Sequence, residues 1–214
     1  MALLKAEEYL AHAKEAFEYV RKAMTKGAGN RLLDQPSGAS FMERKQCVEG
    51  SVRTKTEPLI KKAWHEELDR KRQDLKKRYG EEWRGVITKQ ALDEAGAETD
   101  TRTWGRAIDI NAEYAERFGC GNCEEQSSLT FRFLRDRGVK PLDLVKQEGW
   151  VMGFGNHAFV ILGRDGKTDI AKISTWNSEV VWCDPYENEL GGLDKIKERF
   201  DGKELSLLYR WGDS

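Results

Sequence analysis

Residues 118–134 read Phe118-Gly-Cys-Gly-Asn-Cys-Glu-Glu-Gln-Ser-Ser-Leu-Thr-Phe-Arg-Phe-Leu134. Small, flexible residues lead into Cys123, and from Glu124 onward the pattern turns helical, with Leu129, Phe133 and Leu134 among its apolar positions. Cys123 is therefore expected at or next to a helix N-terminus. The macrodipole and the unpaired N–H groups there favour a thiolate and can receive an oxyanion. Glu124 and Glu125 suit a first helical turn, although their charge partly opposes the thiolate.

Outward from this stretch, the two halves of the chain differ. Upstream, residues 2–26 predict an amphipathic helix: Leu3, Leu10, Phe17 and Met24 recur every seven residues, with Ala6, Ala13 and Val20 between them. Gly27-Ala-Gly-Asn30 ends it, and residues 27–50 read as loop. Residues 57–79 predict a charged, solvated helix, and 81–95 continue as helix. Gly96–Arg102 reads as a polar break before a further helix over 103–118. Downstream, Val151–Phe154, Ala158–Gly163, Asp169–Ile173 and Val180–Asp184 predict short strands separated by turn residues. A short helix over 193–200 and a strand over 205–211 finish the chain. Helices first and sheet second is an α+β layout, with a helical N-terminal region at 1–100 packed on a catalytic core at 101–214.

Composition excludes several classes. Thirty-six basic residues face 37 acidic ones, which argues against a partner held by bulk charge, so neither nucleic acid nor an anionic membrane surface is expected. No apolar run approaches the ~20 residues of a membrane span. The charged stretch Met1–Val20 lacks the apolar core of a cleaved signal peptide. The expected location is the cytoplasm of the producing cell, with export or delivery into a target cell by a route needing no cleaved signal left open.

Four cysteines, Cys47, Cys120, Cys123 and Cys183, are too few for a disulfide scaffold, and a reduced compartment is the default. Three readings compete for the pair Cys120 and Cys123. A thioredoxin-like motif should follow a buried strand, but Ile108–Phe118 reads as helix. A Cys3His zinc set from Cys120, Cys123, His157 and Cys183 lacks a second closely spaced ligand pair, and no metal or other cofactor is expected. The preferred reading makes Cys123 the reactive group and Cys120 a small buried neighbour.

Two further segments support it. His157 opens an apolar strand in Gly153-Phe-Gly-Asn-His-Ala-Phe-Val-Ile-Leu162, and Asp184 closes another in Val180-Val-Trp-Cys-Asp-Pro-Tyr186, where Pro185 stops its continuation. Cys123, His157 and Asp184 each stand at the edge of a regular element, as a nucleophile, a base and the carboxylate that orients the base require.

Gly121-Asn-Cys-Glu-Glu125, then Asn156-His-Ala-Phe-Val160, then Trp182-Cys-Asp-Pro-Tyr186 resembles the transglutaminase-like branch of the papain-like superfamily. It also resembles the cysteine-dependent effector and toxin domains that bacteria deliver into other cells. The resemblance covers roughly residues 104–190. It implies a papain-like core, with the helix of Cys123 packed on an antiparallel sheet that carries His157 and Asp184. It also implies a cysteine hydrolase that attacks an amide of a protein substrate through a thioester. A protease-type effector or toxin is the first expectation, a glutamine or asparagine deamidase or a transglutaminase the alternative, and a non-catalytic or zinc-structured binding module the second alternative. Expected partners are the protein substrate and a neutralising or delivery protein. Glu124 stands where transglutaminases usually carry Trp, and Arg117 where papain-type proteases carry an oxyanion Gln. The oxyanion donor is therefore expected to be the Cys123 backbone N–H, with the Asn122 side chain a second candidate. Trp150 and Trp176 are candidates for the substrate cleft wall.

Overall fold

The computed structural model describes residues 4–29, 39–79, 89–149 and 156–212. Its helices are α1 (Ala6–Ala23), α2 (Phe41–Gln46), α3 (Thr54–Tyr79), α4 (Lys89–Phe118), α5 (Cys123–Asp136) and α6 (Leu193–Phe200). A π-helical segment, Cys47–Arg53, joins α2 to α3. The strands β1 (Leu142–Gln147), β2 (His157–Leu162), β3 (Val181–Asp184), β4 (Glu189–Gly192) and β5 (Leu205–Trp211) form one antiparallel sheet in the order β4-β3-β2-β1-β5. The class is α+β.

Side chains alternate across the strands, so the sheet has two apolar faces. Leu142, Leu144, Val160, Leu162, Val181 and Cys183 pack against Tyr9, Ala13 and Ala16 of α1, Ile108 of α4, and Phe131 and Leu134 of α5. On the other face, Val145, Phe159, Ile161 and Trp182 meet Ile196 and Phe200 of α6, together with Ile173 and Trp176. α5 packs against β1 and β2 on one side and α1 and α4 on the other, so nearly every residue from Glu125 to Leu134 is buried. Each fully buried Leu or Phe of this kind contributes about 1.5–3 kcal/mol. Of the expected stripe, Ala13, Val20 and Met24 are buried, Ala6, Leu10 and Phe17 are half-buried, and Leu3 lies outside the described residues; Tyr9 and Ala16, outside that stripe, complete the buried face.

Several expectations are corrected. Residues 27–50 hold α2 and the start of the π-helical segment rather than loop alone. The signal is a capping box: Ser40 Oγ accepts from the Glu43 N–H at 3.2 Å, and Ser40 N–H donates to Glu43 Oε2 at 2.7 Å. The break at Gly96–Arg102 is absent, and α4 runs through it. One interior Gly costs a helix only about 1 kcal/mol, which neighbouring structure outweighs. Asp169–Ile173 is a turn that leads into a 3-10 turn at Ile173–Thr175. There Asp169 Oδ1 accepts from the Ala171 N–H at 3.0 Å, an Asp turn in place of a strand. β1 and β4 lay outside the expected strands. The strand expected at Val151–Phe154, and residues 81–88 of the expected helix over 81–95, lie outside the described residues.

Candidate active site

The turn into α5 is built from the sequence Gly119-Cys-Gly-Asn-Cys123. Gly119 has φ +70°, and a side chain there would run into Thr25. At Gly121 a Cβ would stand 2.6 Å from the Glu125 Cβ. Both glycines are therefore required for the chain to turn this tightly. Asn122 is the N-cap residue, and Cys123 is the first residue of α5. The Asn122 N–H donates to Glu125 Oε2 at 2.9 Å, and Gln126 Nε2 donates to the Gly121 carbonyl at 2.8 Å. The first intrahelical bond is Gln126 N–H to Asn122 O, so the Cys123 N–H has no partner within its own helix.

α5 packs on the sheet face with its first residue near the edge where β2 begins and β3 ends, and this brings His157 and Asp184 to Cys123. His157 Nε2 lies 2.6 Å from Asp184 Oδ2, and the two side chains are 3% and 1% exposed. The second oxygen, Asp184 Oδ1, accepts from the Glu187 N–H at 3.1 Å, so the turn after β3 holds the carboxylate. The imidazole also hydrogen-bonds the Cys123 side chain. With Nε2 committed to Asp184, Nδ1 is the nitrogen left for the thiol. Cys123 is half-buried, and its Sγ faces the Asn156 carbonyl at 3.8 Å.

Burial alone would lower the His157 imidazole. The hydrogen bonds to Asp184 and Cys123, and their charges, outweigh it and push the group up to about 10. The ring is flanked by Tyr186 at 5.5 Å and Phe159 at 5.8 Å, which exclude water from the His157–Asp184 contact. Tyr186 follows the Asp-Pro of the third motif, a position from which the sequence alone gave no reason to expect a shield.

A polar wall adjoins the nucleophile on the side of the π-helical segment. Arg53 Nε donates to Glu125 Oε1 at 3.2 Å, and Asn111 Nδ2 donates to Glu124 Oε1 at 3.4 Å. Glu124 keeps an exposed face, yet the surrounding protein pushes its carboxyl above the usual range, and neighbouring Glu125 adds to this while Arg53 opposes it. Arg53 and Asn111 carry no local motif, so neither was legible beforehand.

The other expected site residues divide. The Asn122 Oδ1 accepts from the Gly29 N–H at 3.0 Å, which ties the N-cap to the end of the α1 loop. Trp150 lies outside the described residues. Trp176 is not on the cleft: it is 5% exposed in the core of the far sheet face. Its ring sits 5.8 Å from the guanidinium of Arg164, a residue beyond the end of β2. Its Nε1–H is taken by the Asp169 carbonyl at 2.9 Å. Arg117 is exposed over the ring of its own neighbour Phe118.

The cysteines are paired differently from the expectation. Cys120 is bonded to Cys47, 73 residues earlier. It is a buried neighbour of Cys123, but a disulfide partner rather than a free thiol. Cys183 Sγ points across the sheet to the Ala13 carbonyl at 3.5 Å, and burial pushes its thiol far up. Cys120, Cys123, His157 and Cys183 therefore do not converge on one point, and Cys123 is the half-exposed free thiol among the described residues. Comparison of the chain with family models, with curated proteins and with solved structures finds no match.

Proposed function

We propose that the chain is a cysteine hydrolase that attacks an amide carbonyl of a protein substrate. The observation that carries this reading is the position of His157, bonded through Nε2 to a buried carboxylate and coupled to a half-exposed thiol at a helix N-terminus. His157 holds the proton drawn from Cys123, and the sulfur attacks the carbonyl carbon. Negative charge on the carbonyl oxygen is met by the Cys123 N–H at the helix start. The C–N bond breaks, and the leaving amine or ammonia takes the proton from His157. A thioester remains on Cys123. Water, deprotonated by His157, adds to it, and the C–S bond breaks to release the carboxylate and regenerate the thiol. Asp184 fixes the ring and stabilises its charged form throughout.

The order of the three segments resembles the transglutaminase-like branch of the papain-like superfamily and supports a papain-like core. A protease-type effector or toxin is the favoured reading. A glutamine or asparagine deamidase shares every step when the amide belongs to a side chain. A transglutaminase shares them when an amine replaces water.

The test is peptide-resolved mass spectrometry of iodoacetamide alkylation at pH 6, in wild type and His157→Ala. The proposal expects Cys123 to react fastest, and His157→Ala to slow it about tenfold or more. Equal rates at Cys123 in the two proteins would remove the proposal.

A further inference from the structure

The turn that carries Cys123 is not held by its own helix alone. Glu125 is 2% exposed, and its two oxygens serve different masters: Oε2 accepts from the Asn122 N–H at 2.9 Å, and Oε1 from Arg53 at 3.2 Å. Arg53 is thus the counter-charge of a buried carboxylate that caps the helix of the nucleophile. Burial alone would lower the guanidinium, but Glu125, with Glu124 and the Cys123 sulfur beyond it, raises it above its ordinary value.

Arg53 ends the π-helical segment that Cys47 begins. Such segments close i→i+5 hydrogen bonds in place of i→i+4, are rare, and frequently stand at functional sites. Here Cys47, Val48 and Val52 pack with Cys120, beside Tyr114 and Phe118. The one covalent tie in this cluster is the bond from Cys47 to Cys120, three residues before the nucleophile. The same disulfide therefore anchors both the segment that supplies Arg53 and the turn that receives it.

We propose that Arg53 is a positioning residue for Cys123, acting through Glu125, and that the Cys47–Cys120 disulfide holds it in place, so that reduction of this bond weakens the nucleophile. The proposal rests on the reading of the site as a hydrolase. A dithiol reductant passes two electrons and two protons to the disulfide, leaves Cys47 and Cys120 as thiols, and becomes a disulfide itself. Cys123 is chemically unchanged. The segment Cys47–Arg53 is then free to relax, Glu125 loses its counter-charge, and the Asn122 cap loosens. A site built in this way works in its oxidised form, which fits an oxidising compartment or a freshly delivered protein.

The experiment uses the full chain, oxidised or reduced by dithiothreitol that is then removed, with the alkylation rate of Cys123 at pH 6 resolved from that of the other cysteines. Arg53 is 40% exposed at its side chain, so Arg53→Gln and Arg53→Lys keep the core intact, and circular dichroism verifies this. In the oxidised protein, Arg53→Gln slows Cys123 about tenfold, and Arg53→Lys recovers most of the rate. Reduction slows wild type to a similar degree but changes Arg53→Gln less than about twofold, because the two act along one path. Reduction and Arg53→Gln multiplying independently would overturn the proposal and leave the disulfide a structural staple. So would an unchanged rate in reduced wild type. His157→Ala is run alongside: an unchanged rate there defeats the hydrolase reading by itself, whereas the oxidised–reduced difference in wild type reports on Arg53 and the disulfide.

Discussion

The two ends of the sheet each bury a charged cluster, and they are finished differently. At the end away from Cys123, Asp143 is 1% exposed and binds two guanidinium groups, Arg164 Nε at 2.6 Å and Arg210 Nη1 at 2.7 Å. Arg164 also donates to the Thr168 carbonyl at 2.5 Å, and Arg210 to the Arg164 carbonyl at 2.7 Å. Those groups face other protein groups, and the cluster ties β1, the loop after β2, and β5 together. At the other end, His157 and Asp184 are buried as deeply, but the third member, Cys123, is half-buried. The charge on His157 therefore faces a half-exposed group. Closure makes one cluster a joint, and the other keeps one open member, on which the proposed chemistry rests.

The sharpest break of this comparison is Cys123→Ala. It is expected to lower amide hydrolysis by at least about 10³-fold while leaving the melting temperature almost unchanged, since little core is removed. An assay of activity beside a thermal melt checks both halves. At the far end the pattern inverts. Asp143→Ala leaves two buried guanidinium groups without their carboxylate and is expected to cost about 3–5 kcal/mol in a denaturant titration, with activity per folded molecule preserved. Loss of activity without loss of stability would show that the far cluster reaches the site.

Asp184→Asn sharpens the comparison at the site end. The amide keeps the shape but not the charge that orients and stabilises the imidazolium, so turnover is expected to fall about 10²-fold at neutral pH. A smaller effect comes from the pH dependence of stability. His157 stands at about 10 in the folded protein against 6.5 for the free side chain, so its stabilisation is complete below about pH 6.5 and is lost as pH rises through about 10. Melting temperatures measured from pH 7 to 10 should therefore fall more steeply in wild type than in His157→Gln, and parallel curves would mean that the imidazole is not held charged. The smallest expected change is at Cys183: with its thiol buried against Ala13, it should remain unalkylated in the native protein under conditions that label Cys123.

The candidate site was legible where chemistry requires a residue type at the end of a regular element. Gly119-Cys-Gly-Asn-Cys123 announces a tight turn into a helix, and His157 and Asp184 stand at the first and last positions of β2 and β3. Arg53, Asn111 and Cys47, the partner of Cys120, were not legible, because they lie on helical segments distant from the motifs and carry no local pattern. Tyr186 lies in a motif, but its place beside the His157 ring depends on the fold. Trp176 was misplaced for a related reason. A tryptophan near a motif in sequence can sit beyond the opposite end of a six-residue strand, and its hydrogen bond to Asp169 is a loop contact with no periodicity.

What the amino-acid order determined by itself was local. It specified part of the apolar stripe of α1, the turn before Cys123, the apolar runs of β2 and β3, and the stop at Pro185, all of which depend on residues within a few positions of one another. The tertiary structure alone decided that β2 and β3 pair so as to set His157 Nε2 2.6 Å from Asp184, that Cys47 reaches Cys120 across 73 residues, and that Arg53 balances Glu125. Those outcomes rest on distances between segments far apart in the chain, and such distances exist only once the two apolar faces of the sheet have been covered.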